Sequence, residues 1–187
     1  SAYGVIDSWL WDIGDGSTST LQDPSHTYAI TGNYAVTLIV GNTAGCTDTA
    51  TQVITVHARP AALFSFTGNC ENNPVQFSDQ SLANAPMLIS WYWNFGDGHT
   101  STQQNPTHTF GGAGTYNVTL TVQNSNGCMD DTTAVITIDA LPIPDFTDST
   151  SCIDGNTYFT DLSDTTGGTA IASWLWHFGD GGTSIQQ

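Results

Sequence analysis

Asp15, Asp97 and Asp180 each stand inside a Gly-Asp-Gly triplet, and the first two are followed eleven residues later by a histidine, His26 and His108. A carboxylate and an imidazole at fixed separation could serve general acid–base catalysis or metal ligation. The pair recurs, however, in every copy of a longer phrase that reaches it, as turn-forming residues would. The aspartate can accept bonds from nearby amides, and its flanking glycines admit positive φ. No His-Glu-x-x-His, Gly-x-Ser-x-Gly elbow or phosphate loop accompanies them, and the only Lys or Arg is Arg59, so lysine-based covalent chemistry is impossible. No catalytic residue is assigned, and the segment is not expected to be an enzyme. His57, His99 and His177 are not repeated and read as exposed.

Calcium, a hard cation that takes several oxygens, would suit Asp130-Asp131 or the stretch from Asp145 to Asp148. There is neither EF-hand spacing nor a dense acidic cluster, so these carboxylates read as solvated surface, and no metal or cofactor is assigned. Modification is a further candidate chemistry. Thr49, Thr132, Ser149 and Thr165 lie in Asp-Ser/Thr-X triplets that resemble a bacterial O-glycosylation acceptor, and Asn117-Val118-Thr119 fits the N-glycosylation acceptor.

Positioning these side chains falls to a repeated unit. Trp91 to Gly98 reads WYWNFGDG, with near-copies at Trp9 to Gly16 (WLWDIGDG) and Trp174 to Gly181 (WLWHFGDG). Trp11 and Trp93 are 82 residues apart, and Trp93 and Trp176 are 83 apart, the length of one small all-β domain. Trp91, Trp93 and Phe95 share one strand parity, which puts three large rings on a buried face. Core packing is therefore the first reading of the tryptophans, ahead of polysaccharide stacking. The opposite parity carries Leu10, Tyr92 and Leu175, apolar residues where solvent favours polar ones, and marks a candidate lateral contact. Gln104-Asn105-Pro106-Thr107-His108-Thr109-Phe110 matches Gln22-Asp23-Pro24-Ser25-His26-Thr27-Tyr28, and Gly114-Thr115-Tyr116-Asn117-Val118 matches Gly32-Asn33-Tyr34-Ala35-Val36. In the complete copy, strands are predicted near 62–66, 75–79, 89–95, 107–110, 116–123 and 134–138, with a short edge strand near 101–103. The clearest alternation sets Tyr116, Val118, Leu120 and Val122 inward.

The order Trp-x-[Phe/Ile]-Gly-Asp-Gly, [Asn/Asp]-Pro-x-His-x-[Tyr/Phe], Gly-x-Tyr and a Val-x-Leu-x-Val strand resembles the PKD (polycystic kidney disease) domain. The resemblance implies an all-β fold of tandem immunoglobulin-like β-sandwich domains arranged as a rod. The expected units are a partial domain over 1–57 lacking its first strands, a complete one over 58–140 and a partial one over 141–187 lacking its last strands. Both partial copies are expected to continue in a longer polypeptide. Proline-bearing junctions at 57–60 and 140–144 are too short for flexible linkers.

Cys46 and Cys128 occupy one repeat position, and Cys70 and Cys152 another. A Cys70–Cys128 bond would close one domain. In the topology that the resemblance implies, however, the first and last hairpins lie at opposite ends, so disulfides between neighbouring domains are favoured. Cys70 would then pair beyond Gln187, and Cys128 before Ser1.

A formal net charge of −16, with 17 Asp+Glu against 1 Lys+Arg, excludes nucleic acid as a partner. No run reaches the ~18 apolar residues needed for a membrane helix, so no membrane insertion is expected in this segment. Alternating strands, paired cysteines and abundant Thr, Ser, Asn and Gly place the chain outside the cell or on its surface. The function expected is a non-enzymatic stalk, adhesin or extracellular filament. Its partners are neighbouring repeats, lateral copies, or a polysaccharide or cell-surface ligand. The alternatives are a polymer-targeting accessory region of a secreted hydrolase, either a chitinase or a protease, and an archaeal surface-layer protein.

Overall fold

A computed structural model describes residues 5–84, 86–149, 152–153, 155–165 and 170–186. Strands and turns make up all the regular structure among them. The first copy supplies β1 (Ile6–Asp12), β2 (Thr18–Ser19), β3 (Gly32–Asn42) and β4 (Thr47–Val56), joined in one antiparallel sheet of order β2-β1-β3-β4. The complete copy supplies β5 (Phe64–Thr67), β6 (Pro74–Asp79), β7 (Leu88–Asn94), β8 (Thr100–Ser101), β9 (Thr107–Thr109), β10 (Gly114–Asn124) and β11 (Met129–Ile138). Here β11-β10-β7-β8 form one sheet and β5-β6-β9 the other. The third copy contributes β12 (Phe146–Asp148), β13 (Phe159–Asp161), β14 (Trp176–His177) and β15 (Thr183–Ser184), in two paired sets.

The core of the complete copy is built by side-chain parity. Val75 and Phe77 of β6 face Trp93 of β7, Val118, Leu120 and Val122 of β10, and Ile136 and Ile138 of β11, all buried. Phe95 and Phe110 close one side, while Phe64 sets its ring edge against Trp93 at 5.2 Å. Trp91 packs half-buried on the same face, and Tyr92, of opposite parity, is exposed. Removing rings of this size from water is the main local source of stability, about 2–3 kcal/mol for each fully buried side chain.

β7 stops at Asn94, one residue short of the predicted end, because the Gly-Asp-Gly turn begins there. Asn94 Oδ1 accepts the Gly96 amide at 3.0 Å, and Phe95 N donates to His99 O at 3.1 Å. Gly96 has φ 80°, and a Cβ on it would sit 2.6 Å from the Asn117 carbonyl oxygen, so glycine is required on two counts. The last strand begins five residues earlier than its apolar pattern predicts. Residues 130–133 are polar, but they pair in register with 119–122 of the central strand, and Thr119 and Thr133 share a hydroxyl bond at 2.8 Å. Tertiary pairing overrides local composition in this segment. In the third copy Phe146, Phe159, Trp174, Trp176 and Phe178 line an open groove, the place that β10 and β11 cover in the complete copy.

Candidate functional site

The Gly-Asp-Gly turn delivers Asp97 to β9. Asp97 Oδ1 accepts the His99 amide at 3.0 Å, which fixes the carboxylate, and Oδ2 meets His108 Nε2 at 2.7 Å. Phe95 stacks on the His108 ring at 4.1 Å and 5°, and Phe110 meets it edge-on at 4.6 Å. Burial pushes the Asp97 carboxyl upward, but the His99 amide and the His108 ring outweigh it and hold the group below the ordinary carboxylate range. The first copy repeats the device, with His26 Nε2 2.6 Å from Asp15 Oδ2 and the Ser17 amide on Oδ1. The Ser17 amide is the leading cause of a lowered Asp15 pKa, followed by His26. The carboxylate and imidazole thus bind the turn to the opposite sheet. One further group joins them in the complete copy. His99 Nδ1 lies 3.2 Å from Asp97 Oδ2, so the ring that sequence spacing set aside as merely exposed meets the repeated pair.

The two ends of the complete copy are tied to its linkers. At one end Asn124, fully buried, donates from Nδ2 to Ala58 O at 3.0 Å and accepts the Asn126 and Cys128 amides on Oδ1. Asp130 Oδ2 accepts the Ala62 amide at 2.8 Å, so this aspartate secures the strand entry. At the other end Glu71 accepts the Leu141 amide on Oε1 at 3.1 Å and the Ala113 amide on Oε2 at 2.9 Å. Cys70 forms a β-bridge with Asp139 at that end, whereas Cys128 lies beside the first linker with Sγ 4.0 Å from His57 O. The ten residues of β11 separate them, roughly 30 Å of strand. Cys46, Cys70 and Cys152 are exposed, and Cys128 is half-buried.

The remaining sequence candidates scatter. Leu10, Tyr92 and Leu175 are 44%, 50% and 66% exposed. Thr49 and Asn117 are exposed, while Thr132, Ser149 and Thr165 are half-buried. Thr150 and Thr166, which complete the last two triplets, lie outside the described residues. Asp145 accepts the Phe146 amide, and Asp148 sits in β12.

Sequence reasoning missed a second anchoring carboxylate. Asp79 Oδ2 accepts Trp91 Nε1 at 2.7 Å and Gln104 Nε2 at 3.0 Å, and Oδ1 accepts the Ser81 amide at 2.9 Å. Asp161 holds Trp174 in the same way at 2.8 Å. The signal was present as Phe-x-Asp-x-Ser at 77–81 and 159–163.

The profile of the PKD domain matches residues 1–56 and 57–138. Collagenase ColA of Bacillus cereus is 53% identical over 57 residues, 30% of this chain and 6% of that protein. Pre-pro-metalloprotease PrtV of Vibrio cholerae is 34% identical over 137 residues, 72% of this chain and 14% of the protease. The chain therefore spans a small part of either relative's length. The crystal structure of the PKD1 domain from Vibrio cholerae PrtV aligns with 44% of this chain and 99% of its own, at 33% identity and a TM-score of 0.42. With its Trp-strand, Gly-Asp-Gly turn and Asp–His tie in place, the chain belongs to the PKD domain family, as a tandem array of non-catalytic immunoglobulin-like β-sandwiches.

Proposed function

We propose that this array is a load-bearing stretch of an extracellular or cell-surface stalk, adhesin or filament, in which repetition itself supplies length. The observation that carries the reading is the clamping of both linkers to the complete copy. A buried Asn124 holds Ala58 at one end, and Glu71 holds Leu141 at the other. Short linkers bonded into the domain body and stiffened by proline resist bending, a property a spacer needs and a catalytic accessory does not. The strongly negative surface keeps such an array soluble. A second reading, an accessory region of a secreted protease, is favoured by the two relatives, which are a collagenase and a metalloprotease.

Electron microscopy of the native material, with its intact mass, separates the two. Long beaded fibres repeating at about 40 Å, one domain length, are expected for the stalk. Short monomers ending in a globular catalytic module would overturn it in favour of the protease accessory.

A further inference from the structure

We propose that Asp97, His99 and His108 of the complete copy form a binding site for a borderline divalent transition cation of the zinc class, the one such cluster among the described residues. Asp97 Oδ2, His99 Nδ1 and His108 Nε2 lie within 4.8 Å of one another, at 3.2 Å from Oδ2 to His99 and 2.7 Å from Oδ2 to His108. Zinc bonds of about 2.0–2.2 Å in tetrahedral arrangement space neighbouring ligand atoms roughly 3.3 Å apart, so the Asp97–His108 contact opens by about half an ångström to admit the ion. His108 binds through a deprotonated Nε2, so as the cation enters the Nε2 proton passes to water from an imidazolium ring, or through water to Nδ1 in a neutral one.

The site combines rigidity on one side with access on the other. His108 and Asp97 are 12% and 14% exposed, the ring is fixed by Phe95 and Phe110, and the carboxylate is fixed by the His99 amide. His99, at 73% exposed, has room to turn onto the ion. Two imidazole nitrogens with one carboxylate oxygen select zinc, nickel or copper over calcium and magnesium. The neighbouring copies provide an internal control. The position of His99 is Ser17 in the first copy, where the Asp15–His26 tie persists at 2.6 Å, and Gly182 in the third. The tie alone is therefore structural, and the third donor is an addition that the turn does not require.

The test is calorimetric titration of the 187-residue chain with zinc chloride, its four cysteines alkylated to remove thiolate ligands, alongside NMR of the imidazole signals. One equivalent should bind, with His99 and His108 shifting and His26 unmoved. His99→Ala should weaken zinc binding at least about tenfold without unfolding the chain, since its ring is outside the core. Ser17→His should add a second equivalent at Asp15 and His26. Zinc affinity undiminished in His99→Ala, calcium binding as tight as zinc at the same residues, or no second equivalent in Ser17→His would each overturn the proposal.

Discussion

Asp79 shows how a single carboxylate organises one of these sandwiches. It receives the backbone amide of Ser81, two residues on, together with the indole of Trp91 and the amide of Gln104, 12 and 25 residues away, and so ties its own segment to two others. Burial raises its pKa, but the bonds from Ser81, Gln104 and Trp91 outweigh burial, so the folded-state value lies below the ordinary 3.8. The sign follows by linkage. A depressed folded value means stability fully present above 3.8 and lost as pH falls through the lower, folded value. Asp79→Asn, an isostere of the protonated acid, should cost about 2 kcal/mol at pH 7 by denaturant titration, as expected for bonds to a charged group. The difference from the unaltered chain should shrink as pH falls below 3.8 and through the lower, folded value. A difference that does not change on acidification below 3.8 would refute the charge-based role.

At the scale of the element, the last hairpin closes one end of the complete copy. β10 and β11 are joined by a turn that Asn124 closes with two accepted amides while its Nδ2 reaches the linker carbonyl of Ala58. The first copy builds the same turn on Asn42, which accepts the Ala44 and Cys46 amides, both at 3.0 Å. Asn124→Ala leaves buried partners unsatisfied and should destabilise the complete copy by about 2–3 kcal/mol. Hydrogen exchange at the Cys128 and Asn126 amides should accelerate with it, whereas exchange in β6 should change only through global unfolding. The hairpin's position was legible from Asn124-Ser125-Asn126-Gly127 and from the alternation in β10. The early start of β11 was not, because Met129 to Thr133 becomes strand through pairing with its neighbour, a non-local cause.

For the molecule as a whole, the placement of the thiols decides how copies can be joined. Cys70 stands by Asp139 at the end leading into the next copy, and Cys128 stands by His57 at the end facing the previous one. The strand between them, roughly 30 Å long, far exceeds the ~7 Å that a disulfide spans between Cα atoms. We expect the thiol of one copy at the Cys70 position to bond with the thiol of the following copy at the Cys128 position. Two protons and two electrons pass to a dithiol-oxidising disulfide donor in that step. Peptide mapping of the native polypeptide without reductant should recover these cross-copy pairs. A Cys70–Cys128 peptide from within one copy, or thiols free throughout, would show that the joints are held by the linkers alone.

Sequence by itself determined the period, the all-β class, the inward parity of Trp91, Trp93 and Phe95, and the turn at Gly-Asp-Gly, because these depend on local alternation and backbone chemistry repeated every 82 or 83 residues. It also marked Asp97 and His108 as a repeated pair. Tertiary structure alone decided what those residues meet. Asp79 reaches Trp91 and Gln104, Asn124 reaches Ala58, and His99 reaches the Asp97–His108 tie across turns whose exact closure no linear spacing encodes. Such contacts are set by how two sheets stack and where strands register, a global packing solution in which each residue's partner depends on the placement of all the others.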